Sequence, residues 1–302
     1  MAKPHRAACV IGWPAKHSRS PRLHGYWIEK YRIDAEYRIE EVPPERFAAL
    51  ATALAAHGYV GANVTMPHKD AALALSQPDA RARAVGAANT LWLDDGTLRS
   101  TNTDVEGFVG ALDAAAPGWD SRTDSAVVLG AGGAGRAVVY GLIERGISTV
   151  HVVNRSTEKA QALRDRFGAA VQPAPWSAIP QLLRGSRLLA NATSLGMKGH
   201  PALEIDLTDM ADDAVVADIV YVPLRTALLA QAENRGLATS NGLDMLLYQA
   251  VRGFQLWFGI RPAVTQELFD LLAADILGAS ANTAPGYAGA IASVTSVKRR
   301  LI

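Results

Sequence analysis

The sequence holds a single cysteine in 302 residues, so an internal disulfide is excluded. Cys9 lies within the apolar run 7–11 and reads as a buried strand residue rather than a nucleophile. An excess of charge is missing as well. Thirty basic and 29 acidic residues leave a formal net charge of +1, and the body of the chain carries no basic run, which argues against a nucleic-acid partner. Long apolar stretches are also absent. The run 7–11 is too short for a signal peptide's hydrophobic region, and nothing approaches the roughly 20 apolar residues of a membrane span. These absences point to a cytoplasmic protein without a membrane partner, and no metal site is expected.

What the chain has is apolar residue in quantity. With 49% hydrophobic residues, it can bury a sizeable core, and its length exceeds the usual single domain, so two domains are expected. Strands at 7–12, 36–40 and 62–65 alternate with helices at 21–31 and 44–57, the α/β pattern of a mostly parallel sheet. A second series of strands follows at 126–129, 150–154, 188–191 and 215–219. A helix at 243–257 then offers Leu246, Tyr248 and Phe254 for packing back on the first lobe. The expected fold is therefore α/β, an N-terminal α/β substrate lobe (1–106 with 242–278) and a Rossmann-type dinucleotide-binding lobe (107–241), with parallel sheets and a cleft between them. The tail 279–302, rich in Ala, Gly, Ser and Thr before its basic end, suggests mobility, although 287–297 could form a marginal helix.

The strand 126–129 runs directly into Gly130, Ala131, Gly132, Gly133, Ala134 and Gly135 and then into a helix expected near Arg136. This is G-x-G-x-x-G spacing in its proper context. Glycines allow a tight turn and close approach of a pyrophosphate, and the helix start offers free amides to the anion. A glycine triplet on its own would be weak evidence, but here a strand precedes it and a helix follows. Some 20 residues on, where an NAD-binding Rossmann fold places an acid, the chain has Asn154, Arg155 and Ser156, with Lys159 one turn later. Arg155 can pair with a 2′-phosphate, so NADP is expected over NAD. Arg155 could also simply face water, while Ser156 or Thr157 caps the following helix.

Residues 61–69, Gly-Ala-Asn-Val-Thr-Met-Pro-His-Lys, read as a buried strand that stops at Pro67 and opens a helix at Lys69. Asn63, Thr65 and Lys69 thereby surround one turn and could hold one small polar ligand. Lys69 is the candidate catalytic group. Read in isolation it would more often be a surface lysine. Asp104, in Ser100-Thr-Asn-Thr-Asp104, is its natural partner, or else a helix cap. Hydride transfer at an oxygen-bearing carbon requires a proton to move on that oxygen, which a positioned lysine can supply.

With these motifs the chain resembles the shikimate dehydrogenases, over almost its whole length to about residue 278. His17-Ser-Arg-Ser-Pro21 matches a family pattern whose serines, here Ser18 and Ser20, bind the substrate carboxylate. The resemblance implies that Asn63, Thr65, Lys69, Asn89 and Asp104 hold ring hydroxyls, with Lys69 and Asp104 as the catalytic dyad. It adds Tyr221 and Gln249 as substrate contacts. Asn191-Ala-Thr-Ser-Leu-Gly-Met197 is similar to the family's cofactor loop, which brings in Thr193 and Ser194, and Ile219 and Gly242 are implied cofactor neighbours. The implied activity is reversible NADPH-dependent reduction of 3-dehydroshikimate to shikimate by a monomer or homodimer. Alternatives are a quinate/shikimate dehydrogenase with relaxed substrate or NAD use, a methylenetetrahydrofolate dehydrogenase-like enzyme, and a dinucleotide-binding regulator without chemistry. Three positions depart from the usual pattern: Thr226-Ala227 where Thr-Pro is common, Lys159 where a second arginine is frequent, and Thr101, which could alter ring-hydroxyl contacts.

Overall fold

Each strand read from the sequence is a strand in the computed structural model, which describes residues 6–281. The first sheet contains β1 (Arg6–Gly12), β2 (Ala35–Glu41), β3 (Tyr59–Val64), β4 (Gln77–Pro78), β5 (Thr90–Asp94) and β6 (Thr97–Thr101), in the order β2-β1-β3-β5-β6-β4. The second contains β7 (Ser125–Leu129), β8 (Thr149–Val153), β9 (Val171–Ala174), β10 (Leu188–Asn191), β11 (Val215–Asp218) and β12 (Ala238–Ser240), in the order β12-β11-β10-β7-β8-β9. All five pairings of the second sheet are parallel. Its order is that of the doubly wound dinucleotide fold, whose ligands lie beyond the carboxyl ends of the strands where the order reverses, here between β7 and β10.

The first sheet is parallel in three of its five pairings, as the α/β pattern predicts, and departs from that pattern only around β5. β1 pairs in parallel with β2 and β3, but β5 runs antiparallel to both β3 and β6. A tight turn at Asp95 and Gly96, both at positive φ, joins β5 to β6 as a hairpin instead of crossing over through a helix. The helix expected over 44–57 is shorter, Pro44–Thr52, and the one expected near Arg136 starts earlier, as Gly133–Glu144. Helix Gln266–Ala281 was not expected from the sequence; it carries the described chain past 279, and the helix expected over 287–297 lies outside the described residues.

Helices Gly242–Phe258 and Gln266–Ala281 return to the first sheet, where Leu247, Phe254, Leu272 and Ile276 share a core with Val10, Leu23 and Trp27. Leu246 and Phe254 thus pack as expected, whereas Tyr248 lies against Gly110 of helix Asp104–Ala115. That helix leaves the first sheet and buries Phe108 and Leu112 in the core of the second. A crossing helix and a returning helix therefore fix both sheets about one cleft.

Within the returning core lies His24, with 0% exposure and no hydrogen-bond partner on either ring nitrogen. Its ring stacks on Tyr37 at 4.2 Å, with Phe254 behind it. Burial among these rings pushes its pKa down to about 3, and the nearby Asn63 amide opposes this only in part. The unfolded chain accepts a proton near pH 6.5 that the folded chain refuses, so this contribution to stability is complete above pH 6.5 and is lost as the pH falls towards 3. Thermal denaturation at pH 6.5 and pH 5 is expected to differ by ~2 kcal/mol from this group. In His24→Leu that part of the pH slope should vanish, and an unchanged slope would exclude His24 as its source.

Candidate active site

The carboxyl ends of β1 and β3 carry the polar residues of the first lobe. Beyond β1 the chain doubles back as the amides of Ala15 and Lys16 donate to Glu41 Oε1 at 3.1 and 3.2 Å. Ser18 Oγ accepts from the Ser20 amide at 3.3 Å, and Ser20 opens helix Ser20–Lys30. The serines therefore shape a turn, and both also line a cavity of about 340 Å³ between the two sheets. At the end of β3, Asn63 Oδ1 accepts from the Tyr37 hydroxyl at 2.7 Å and its Nδ2 faces Thr90 Oγ1 at 3.3 Å. The Thr65 amide donates to Ile11 O at 2.9 Å, which ties the turn after β3 to the end of β1.

Lys69 is the first residue of helix Lys69–Leu75, and its Nζ donates to Asp104 Oδ2 at 2.5 Å. The side chains keep 20% and 12% of their exposure, and both line the cleft. Asp104 begins helix Asp104–Ala115 without serving as its cap. Its second oxygen, Oδ1, accepts from Asn89 Nδ2 at 2.8 Å. Asn89 is itself held: its Oδ1 accepts from the Thr103 amide at 2.7 Å. Gln249, which alone would pass for a solvated helix residue, is buried and lies with its Oε1 at 3.3 Å from Thr103 Oγ1. Lysine, carboxylate and amide thus form one hydrogen-bonded row along the cleft floor. Such a row can deliver a proton to a ligand oxygen and take one back through Asp104.

Ser18, Ser20, Asn63, Thr65, Lys69, Asn89, Asp104, Tyr221 and Gln249 all line this one cavity, and Ile219 and Gly242 line it from the second-sheet side. Burial pushes the Tyr221 phenol pKa upward, with Arg19 opposing, so the hydroxyl stays protonated as a hydrogen-bond donor. Thr101 is not among the residues that line the cavity; its backbone carbonyl accepts from the Asn89 amide at 3.2 Å. Two supporting residues were not expected from the sequence. Tyr37 sits behind Asn63, and Thr103 sits behind Asn89; the polar run before Asp104 held the signal for the second.

At the end of β7, Gly130 has φ of +103°, and a Cβ there would lie 2.8 Å from Ala192 O. A Cβ at Gly135 would lie 2.3 Å from Gly130 O, whereas at Gly132 it would meet nothing within 4 Å. The outer glycines close the turn on itself and the middle one leaves open space above the helix start, the shape a pyrophosphate requires. Asn154 Oδ1 accepts from the Ala131 amide at 3.1 Å; Arg155 stands exposed just past the adjacent strand β8, and Lys159 stands exposed in the first turn of helix Thr157–Phe167. Ser156 stands at the N-cap position of helix Thr157–Phe167 as expected, but its Oγ donates to Glu158 Oε2 at 2.6 Å and makes no capping bond to a helix amide. Thr193 and Ser194 follow β10 on the far side of the glycine turn. Among the described residues no cluster of metal-ligating side chains occurs.

Known proteins repeat this arrangement. Residues 10–91 match the shikimate dehydrogenase substrate binding domain, residues 114–220 the shikimate/quinate 5-dehydrogenase model, and residues 242–266 the shikimate 5′-dehydrogenase C-terminal domain. A shikimate dehydrogenase (NADP(+)) of Rhodopseudomonas palustris is 63% identical over 276 residues, 91% of this chain and 99% of its own. The chain belongs to the shikimate dehydrogenase family. This membership sets aside the folate enzyme and the regulator. A shikimate 5-dehydrogenase from Thermus thermophilus, solved with NADP(H) and shikimate, superimposes with a TM-score of 0.78 at 33% identity, covering 89% of this chain and 99% of its own. A quinate dehydrogenase from Corynebacterium glutamicum, solved with NAD, superimposes equally well, with a TM-score of 0.80 at 29% identity over 89% and 98% of the two chains. The fold therefore serves both cofactors, and the choice between them must lie in side chains.

Proposed function

We propose that this protein catalyses the reversible NADPH-dependent reduction of 3-dehydroshikimate to shikimate. The observation that carries this reading is the 2.5 Å Lys69–Asp104 pair inside a polar cavity that the second sheet closes from the other side. The open space over Gly132 fits a dinucleotide, and NADP when bound supplies or accepts the hydride. In the reductive direction Lys69 gives its proton to the oxygen of the reduced carbonyl and is reprotonated from solvent by way of Asp104, whose side chain keeps 12% exposure. Asn63, Thr65, Asn89 and Gln249 orient the ring hydroxyls, Ser18 and Ser20 take the carboxylate, and Tyr221 donates from the opposite wall. Thr193, Ser194, Ile219 and Gly242 face the cofactor. We assign residues 1–106 and 242–278 to the substrate lobe and 107–241 to the cofactor lobe, in a cytoplasmic monomer or homodimer. No described helix is long and apolar enough to cross a membrane.

Reduction followed at 340 nm with shikimate or quinate, each with NADP or NAD, tests the reading; turnover confined to quinate with NAD would move the protein to the quinate branch. Arg155 and Lys159 are the groups expected to hold the 2′-phosphate. Arg155→Ala is expected to raise KM for NADP by ~10–100-fold, the worth of a charge-assisted hydrogen bond, and to leave NAD kinetics almost unchanged. Equal losses with both cofactors would remove Arg155 from that role.

A further inference from the structure

Asn191 and Asp218 end the adjacent parallel strands β10 and β11 at the same register position. Asp218 is 1% exposed, and among the described residues it has no salt bridge. A buried carboxylate is costly unless hydrogen bonds satisfy it, and here every donor is neutral. Oδ1 accepts from Asn191 Nδ2 at 2.9 Å and from the Val220 amide at 3.1 Å, and Oδ2 accepts from Thr226 Oγ1 at 2.7 Å. Burial pushes the carboxyl pKa up, and these donors oppose it.

The donors lead to separate segments. Asn191 Oδ1 accepts from the Thr193 amide at 3.1 Å and from Thr193 Oγ1 at 2.7 Å, which shapes the turn bearing Thr193 and Ser194. Val220 lies between Ile219 and Tyr221, both of which line the cleft. Thr226 caps helix Ala227–Asn234 through the Leu229 amide at 3.3 Å. One carboxylate therefore joins a turn expected to face the cofactor, a segment facing the substrate and a helix start.

We propose that Asp218 is a positioning residue of the reaction, which keeps Thr193 and Ser194 at a fixed spacing from Ile219 and Tyr221 and so aligns cofactor with substrate. The inference rests on the function proposed above. Reactions between two aligned groups lose ~10² in rate for a displacement near 1 Å. Binding is less sensitive, because Arg155 follows β8, across β7 from the strands that carry this knot, and offers the dinucleotide a contact that does not depend on it. The hydrogen bonds, not the charge, carry the effect. An asparagine fits the same space: its Oδ1 takes the donors Asn191 and Val220, and the Thr226 hydroxyl turns to accept from its amide.

The test compares Asp218→Ala, Asp218→Asn and Thr226→Val with the unaltered protein. NADPH affinity is read by fluorescence titration without substrate, stability by melting, and kcat by turnover of shikimate with NADP. Asp218→Ala is expected to lower kcat by ~10–10² with the NADPH Kd changed less than about threefold, and Asp218→Asn to recover kcat to within about threefold. Thr226→Val, which loses one bond of the knot, should fall between them. A variant whose only defect is a lower Tm, with kcat per folded molecule unchanged, would reduce Asp218 to a structural role and overturn the proposal. So would an asparagine variant as slow as the alanine one. If Asp218→Ala does not fold, unchanged kcat in Thr226→Val overturns the proposal in its place. Failure of the unaltered protein to turn over shikimate would instead sink the proposed function, and that result comes before any variant is made.

Discussion

Lys69→Ala is expected to lower kcat with shikimate and NADP by ~10²–10⁴, the usual contribution of a positioned acid or base, while KM for shikimate stays within about tenfold. The expectation follows from where the lysine stands. Its Nζ touches Asp104 and faces the cleft, but the cavity is lined as well by Ser18, Ser20, Asn63, Asn89 and Gln249. Removing one donor from so many leaves most of the ground-state binding in place. The proton route has no such redundancy: Asp104 is otherwise bonded to Asn89, an amide that donates a hydrogen bond but transfers no proton. Steady-state kinetics set beside a direct binding titration separate the two effects. A kcat reduced less than tenfold would take Lys69 out of the proton transfer, whereas a KM that rises with kcat unchanged would make it a binding group only.

Gly135→Val should abolish measurable NADP binding at concentrations ~10² times the ordinary Kd while sparing shikimate binding. The Cβ alone would stand 2.3 Å from Gly130 O, a backbone atom that cannot swing aside. Either helix Gly133–Glu144 moves away from β7 or the turn opens, and overpacking of this kind typically costs ~1–3 kcal/mol. Gly132→Ala provides the contrast, since its Cβ would meet nothing within 4 Å of protein. That variant is expected to melt with the unaltered protein and yet bind NADP weakly, because the methyl fills space reserved for phosphate. Calorimetric titration with NADP and with shikimate separately checks both. Full NADP affinity in Gly135→Val would show that the turn is not the dinucleotide site.

The four inner strands of the second sheet were legible in the sequence because parallel strands buried on both faces are plain apolar runs, as in 126–129 and 188–191, whereas the short edge strands β9 and β12 were missed. The antiparallel half of the first sheet was missed although its signal was present. Asp95-Gly96 between two alternating segments is a strong short-range hairpin sequence, but the preceding α/β alternation suggested that helices would continue to separate the strands. The Ser156 cap failed for a different reason: a glutamate two residues on accepts from the serine hydroxyl, a competition that capping preferences leave out. Gln249 could not be judged from its residue type, because its burial depends on helix Asp104–Ala115 arriving from about 140 positions earlier in the chain. Asn63, Thr65, Lys69 and Asp104 were readable because they sit at a strand end or a helix start, where local pattern fixes position, whereas Ser18, Ser20, Asn89, Tyr221 and Gln249 were reached only through the family resemblance. The residues behind them, Tyr37 and Thr103, are brought there by tertiary packing.

Cys9, fully buried on β1 between β2 and β3 in the first sheet, has its thiol pKa pushed well above normal by that burial. A thiol in this setting is invisible to alkylating reagents as long as the sheet stays closed. Labelling therefore proceeds only through molecules that have opened the substrate lobe. The chain thus carries an internal clock for its own opening: because it holds a single sulfhydryl, the rate of mass gain in an alkylating solution reads out a sub-global unfolding equilibrium at one known place, without an introduced probe.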